Sequence, residues 1–131
     1  MSSGSSSVVK VDGAVVLVED DAALREALHF SLGVEGYSVQ SFRTGREAAG
    51  DLALTTCVCL IIDYGLPDTN GLALLRQLRR SGISAPAVLI TTNPSPWLRM
   101  RATADRILIV EKPLLGDALV QAVRRVSGMQ V

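Results

Sequence analysis

Two apolar runs in this chain end in acid. Cys57-Val58-Cys59-Leu60-Ile61-Ile62 leads into Asp63, and Ala14-Val15-Val16-Leu17-Val18 leads into Glu19-Asp20-Asp21. Neither run alternates apolar with polar residues. That is the pattern of a strand covered on both faces, as in parallel sheets flanked by helices. A carboxylate at the end of such a strand leaves the sheet at the edge where open α/β folds bind ligands. Asp63 is followed at once by Tyr64-Gly65-Leu66-Pro67-Asp68-Thr69-Asn70-Gly71, a segment rich in turn formers. Two covered strands with acidic ends predict one shared site.

The rest of the chain alternates strand and helix patterns. After the strand Ala14–Val18, a helix is expected over Ala22–Leu32, with Asp21 as N-cap and Leu24, Ala27, Leu28, Ser31 and Leu32 on one face. Tyr37–Phe42 reads as a strand. Thr44-Gly45-Arg46-Glu47 has capping-box spacing and opens a helix running to about Leu54. The strand from Cys57 to Asp63 precedes a helix over Gly71–Ser81, with Leu74, Leu75 and Leu78 inward and Gly82 as its stop. Ala87–Thr91 is a fourth strand. Ser95-Pro96 reads as N-cap and first helical residue of a short helix, Trp97–Ala104, in which Trp97 is expected to pack. Arg106–Val110 is a fifth strand, and Leu114–Val126 a final helix with Leu115, Leu119, Ala122 and Val126 inward. Strict alternation predicts a doubly wound parallel sheet with helices on both faces. Right-handed crossovers then bring Glu19, Asp20, Asp63, Thr91, Glu111 and Lys112 to one edge.

With 131 residues, 48% hydrophobic and 20% charged, the chain suits one globular domain. Residues 1–10 read as a flexible low-complexity leader, 11–128 as the domain and 129–131 as a tail. A formal net charge of zero gives no long-range field toward nucleic acid or anionic membrane, and neither is an expected direct partner. No apolar stretch approaches a membrane span, and the N-terminal residues have no signal-peptide core. Cys57 and Cys59 lie two apart on a strand, with side chains on one face and poorly placed for a disulfide. They read as buried thiols in a reducing, cytoplasmic setting. His29, the single histidine, lies off the apolar face of its helix and is expected to be exposed.

Carboxylates brought within about 4 Å repel by several kcal/mol at an effective dielectric near 20. Such a cluster must protonate, spread or bind a cation. Oxygen ligands at an open edge favour Mg²⁺. A lysine and a threonine hydroxyl opposite complement an anion, and the set suits phosphoryl transfer with Asp63 as nucleophile.

Val18-Glu19-Asp20-Asp21, Asp63-x-x-Leu66-Pro67-x-x-x-Gly71, Leu89-Ile90-Thr91 and Glu111-Lys112-Pro113, in this order, resemble the receiver domain of two-component response regulators, over roughly residues 12–128. The resemblance implies a flavodoxin-like (βα)5 fold with strand order 2-1-3-4-5. It implies that Asp63 accepts a phosphoryl group from a sensor histidine kinase or phosphotransfer protein, with slow self-dephosphorylation and no metabolic turnover. It makes Glu19, Asp20, Asp63 and the Gly65 carbonyl the Mg²⁺ ligands, and Thr91 and Lys112 the holders of phosphoryl oxygens. The Lys112–Pro113 peptide would be cis. A downstream protein target, or a second copy, would meet the face formed by the fourth helix, fifth strand and fifth helix.

The chain departs from the family pattern on that output side. Ile109 stands where the family usually carries the aromatic partner of Thr91 in the switch. Thr92 replaces a smaller residue beside the site, Asn93-Pro94-Ser95-Pro96 replaces a more regular loop, and Thr91 and Lys112 are one residue closer than usual. The alternative these changes motivate is a pseudo-receiver, a phosphorylation-independent interaction module. A haloacid-dehalogenase-type phosphatase needs a second Asp where Gly65 stands. A flavodoxin-like cofactor binder would place a phosphate against Glu19-Asp20-Asp21, which repels it.

Overall fold

The computed structural model describes residues 13–114 and 116–127. The expected leader and tail, and the inward placement of Leu115, lie outside the described residues. Five strands, β1 (Ala14–Val18), β2 (Ser38–Phe42), β3 (Cys59–Asp63), β4 (Ala87–Thr91) and β5 (Leu108–Glu111), alternate with helices α1 (Ala22–Val34), α2 (Gly45–Ala49), α3 (Gly71–Arg80), α4 (Pro96–Ala104) and α5 (Ala118–Val126). All strand pairs are parallel and the order is β2-β1-β3-β4-β5. This is the doubly wound parallel sheet that the strand–helix alternation predicts, in the flavodoxin-like order that the family resemblance implies.

Successive residues of the central strands feed two separate cores. Val16, Val18, Leu60, Ile62 and Leu89 face one side and pack with Leu74, Leu75 and Leu78 of α3 and Leu98 of α4. Val15, Leu17, Ile61, Val88 and Ile90 face the other, against Leu28 and Leu32 of α1 and Leu119 and Val123 of α5. The two-residue strand period makes this division, and both faces of β1, β3 and β4 are covered, so these strands need no polar alternation, whereas edge strand β2 exposes Ser38 and Gln40.

Several boundaries differ from the sequence reading, each for a local reason. The expected helix from Thr44 to Leu54 is two pieces: α2 stops at Gly50, and a 3-10 turn over Leu52–Thr55 starts afresh with Asp51 as cap. Thr44 caps α2 as expected, but the returning Glu47 side chain accepts from the Arg43 backbone N–H. Only Leu28 and Leu32 of α1 are buried, with Leu24 half-buried; Ala27 and Ser31 are exposed, a narrower stripe than the periodicity suggested. β5 begins two residues late because Arg106 takes a left-handed φ of 59° after the short turn out of α4. α5 begins at Ala118, after Gly116 at φ 62°. Trp97 is 52% exposed, against the expectation that it packs.

The cysteine expectation is half right. Both thiols are free, and burial pushes both up, Cys59 to about 12. They do not share a face, because Cys57 precedes β3 and packs against the α3 side while Cys59 belongs to the α1–α5 side.

Candidate functional site

Parallel strands end at one edge, so the residues after β1, β3, β4 and β5 converge. A cleft of about 410 Å³ opens there, lined by the acidic turn Glu19-Asp20-Asp21, by Asp63 with Tyr64 and Gly65, by Thr91 and Thr92, and by Lys112. Of the six residues that strand alternation assigned to this edge, five meet. Glu111 does not: it is exposed and pairs with Arg99 of α4.

Asp63 is the last residue of β3 and is almost wholly buried. One carboxylate oxygen accepts from the Gly65 N–H at 3.1 Å, and the other from Lys112 Nζ at 2.9 Å. Lys112 reaches it from the segment after β5, where the Lys112–Pro113 peptide is cis, as the resemblance implied. Burial alone would lower the ammonium's pKa. The Asp63 hydrogen bond and the charges of Asp63 and Glu19 outweigh that and raise it, so Lys112 stays cationic.

Glu19 is completely buried. Its Oε2 accepts from the Asp21 N–H at 3.0 Å, while Oε1 lies 3.6 Å from Lys112 Nζ and has no hydrogen-bond partner. Burial pushes this carboxyl up to about 7, the Asp63 carboxylate adds to the rise, and the Asp21 N–H and Lys112 oppose it. An orphaned buried carboxylate oxygen is costly unless a proton or a cation satisfies it. Oxygens of Glu19, Asp20 and Asp63 lie within 4.8 Å of one another. All are hard ligands beside an open cleft, a set that fits Mg²⁺. Asp21, by contrast, caps α1 through the Leu24 N–H at 3.2 Å, as expected.

Thr91 closes β4 almost buried, and its carbonyl accepts from the Lys112 N–H at 2.8 Å, tying the two sides of the cleft together. Thr92 is exposed at the rim. Ile109 is half-buried and packs on the core shared with Leu98 and Ala102 of α4, so an aliphatic side chain occupies the expected switch position. His29 is exposed, with its Nδ1 3.0 Å from the Ser41 hydroxyl.

Three further residues support the site, two of which escaped the sequence reading. The Arg25 guanidinium donates back to the carbonyls of Glu19, at 2.8 Å, and Asp20, at 3.3 Å, and so steadies the acidic turn. Asp68 accepts from the Gly45 and Arg46 N–H groups at 3.0 and 2.9 Å, pinning the loop after Asp63 to the start of α2. Slight burial would raise the Asp68 pKa, but these two hydrogen bonds lower it overall. Gly71 is required by packing: a Cβ there would stand 2.6 Å from the Asp63 carbonyl oxygen and 2.8 Å from a Leu89 methyl. The motif spacing flags Gly71. Nothing local in the sequence flags Arg25 or Asp68, whose partners are set by tertiary geometry.

Comparison with known proteins agrees with this geometry. Residues 15–124 match the response regulator receiver domain family. The chain is 32% identical over 113 residues to the C4-dicarboxylate transport transcriptional regulatory protein DctD of Rhizobium meliloti, covering 86% of this chain and 25% of that protein. Among solved structures, the chemotaxis protein CheY4 of Vibrio cholerae superposes with a TM-score of 0.79 at 24% identity, over 87% of this chain and 98% of that one. The regulator TrrA of Thermotoga maritima, in complex with Mg(2+)-BeF, gives 0.74 at 23% identity, over 87% and 98%. The chain thus spans a quarter of the length of DctD. The expectation of no nucleic-acid partner has no support here, because DctD is by name a transcriptional regulatory protein. Receiver domains are phosphoacceptors that bind Mg²⁺ at an acidic pocket, and response regulators partner with histidine kinases. On its sequence match, its strand order and its acidic edge, this chain belongs to the receiver-domain family of two-component response regulators.

Proposed function

We propose that Asp63 accepts a phosphoryl group from a phosphohistidine of a sensor histidine kinase or phosphotransfer protein. The observation that carries this reading is the pairing of Asp63 with Lys112 at 2.9 Å beside the partnerless Oε1 of Glu19. An Asp63 oxygen attacks phosphorus and forms the O–P bond as the donor's P–N bond breaks. The electron pair stays on the imidazole nitrogen. Lys112 gives up its bond to Asp63 and, with the Thr91 hydroxyl, takes the phosphoryl oxygens. Glu19, Asp20, Asp63 and the Gly65 carbonyl would hold Mg²⁺, which offsets the negative charge of carboxylate and phosphoryl group and lets them approach. Hydrolysis of the acyl phosphate by water returns Asp63, so the protein turns over its own modification and no external metabolite.

Among the described residues no helix is long and apolar enough to cross a membrane. With two free cysteines, we place the reaction in the cytoplasm. The output goes to a protein target, or a second copy, through the α4–β5–α5 face. There Ile109 replaces the aromatic partner of Thr91, so the change on phosphorylation travels through aliphatic repacking.

Borohydride reduction of the phosphorylated protein, followed by peptide mapping, tests the acceptor. Reduction of an acyl phosphate at position 63 leaves homoserine there. Homoserine at another aspartate, or 2-amino-5-hydroxyvaleric acid at a glutamate, would reassign the acceptor, and the absence of both from a phosphorylated sample would exclude an acyl phosphate. The pseudo-receiver reading, which Ile109 favours, predicts no phosphoryl uptake from any donor.

A further inference from the structure

A second concave region lies away from the acidic cleft, between α3 and α4. Its wider part, of about 360 Å³, has Leu72, Leu75 and Ile107 at its floor, all buried core residues. Exposed Arg76, Arg79 and Arg80 line it from α3, and half-buried Arg101 from α4. A narrower part of about 240 Å³ shares Leu72, Arg76 and Arg80 with the first, so the two are one furrow. This narrower part is also lined by Trp97, 52% exposed, and by Tyr64.

The charge is one-sided. Four guanidiniums line the wider part against one carboxylate, Asp105, in a chain whose formal net charge is zero. Asp105 is engaged by Arg101 at 3.3 Å, and the Arg79 side chain donates to the Ile83 carbonyl. Arg76 and Arg80 have no ion-pair partner among the described residues. They stand one helical turn apart on α3, a spacing of about 6 Å that matches carboxylates four residues apart on an opposing helix. An apolar floor, an exposed indole and a row of guanidiniums form the composition of a protein-binding hot spot, Trp and Arg around a desolvated patch. A nucleic-acid groove would draw on a basic field that this chain lacks.

The geometry points to a docking site in this furrow for an acidic peptide segment of a partner protein, with apolar side chains over Leu72 and Leu75 and carboxylates on Arg76 and Arg80. The occupant reaches Tyr64, which also lines the acidic cleft, so the docked segment adjoins the residue next to Asp63. This surface shares α4 with the α4–β5–α5 face but lies on the α3 side of that helix, and its occupancy does not depend on phosphorylation chemistry being intact.

Trp97 is the chain's one tryptophan, so its fluorescence reports the furrow directly. The probes are a synthetic helix-forming peptide of Leu and Glu with its glutamates four residues apart beside a leucine stripe, a scrambled peptide of the same composition, and a single-stranded oligodeoxynucleotide. The patterned peptide is expected to shift Trp97 emission saturably. The scrambled peptide, and the patterned peptide on the Arg76→Ala/Arg80→Ala double variant, are each expected to bind at least about tenfold more weakly. Both arginines are exposed, so the variant keeps its fold, which circular dichroism checks. Equal binding by the scrambled peptide or by the double variant overturns the assignment. Tighter binding of the oligonucleotide than of the patterned peptide overturns it in favour of nucleic acid. Absence of any emission change, with no heat in calorimetry, overturns it outright.

Discussion

β3 and β5 are two parallel strands of one sheet, each delivering a charged residue to the same edge, and they are built differently. Every residue of β3 from Cys59 to Asp63 is buried, and both its faces belong to a core. No residue of β5 is buried: Leu108, Ile109 and Val110 are half-covered and Glu111 is exposed. β3 sits at the centre of the sheet and β5 at its edge. The carboxylate that needs a fixed position is on the strand with no room to move. The residues that would transmit a change lie on the strand with few neighbours to displace. Local stability follows burial, and this division suits the proposed function, in which the domain reacts at one place and responds at another.

Four measurements can break or sharpen that contrast. The largest effect belongs to the reacting edge. Lys112→Met removes the cation bonded to Asp63 and is expected to slow phosphoryl uptake by about 10²-fold or more, judged by removal of a single transition-state donor elsewhere. Uptake at the parent rate would show that Lys112 only balances resting charge.

The second effect compares the strands themselves. Ile61→Ala in β3 should cost about 2–5 kcal/mol in urea unfolding. Ile109→Ala in half-covered β5 should cost about 1 kcal/mol and leave the uptake rate unchanged. Equal losses would remove the distinction between a rigid and a yielding strand.

The third is a pH effect of smaller size. In protein free of divalent cation, folded Glu19 holds its proton up to about pH 7, while the unfolded chain releases it near 4.5. Across that window the unfolded state binds fewer protons, so stability falls as pH rises from about 4.5 to about 7. Glu19→Gln should flatten this slope, and so should Mg²⁺. A stability that rises with pH through the same window, in parent but not in Glu19→Gln protein, would contradict the burial cost assigned to Glu19.

Most of the fold was legible because its signals are local. Covered strands read as unbroken apolar runs, and Asp21, Thr44 and Ser95 occupy the caps that their spacing predicts. The cleft was legible for the same reason: once strands alternate with helices, all strand ends meet, and Asp63, Glu19, Asp20, Thr91 and Lys112 need no further information to converge. What stayed hidden depends on tertiary context. Glu111 lies two residues after Ile109 and so falls on the α4 side of β5, where it is exposed and pairs with Arg99. Trp97 has the hydrophobicity of a core residue, yet α4 presents it beside the arginines of α3. Arg25 and Asp68 act on backbone groups that lie near them only in the folded chain.

The fourth measurement tests the central claim most directly. It is the intact mass of the protein after incubation with acetyl phosphate and Mg²⁺, beside an Asp63→Asn control and a sample without Mg²⁺. One added phosphoryl group in the parent, absent from both controls, is the predicted result. No adduct in folded, Mg²⁺-supplied parent protein, from acetyl phosphate or from a phosphorylated kinase, would contradict the account and leave the chain as an interaction module.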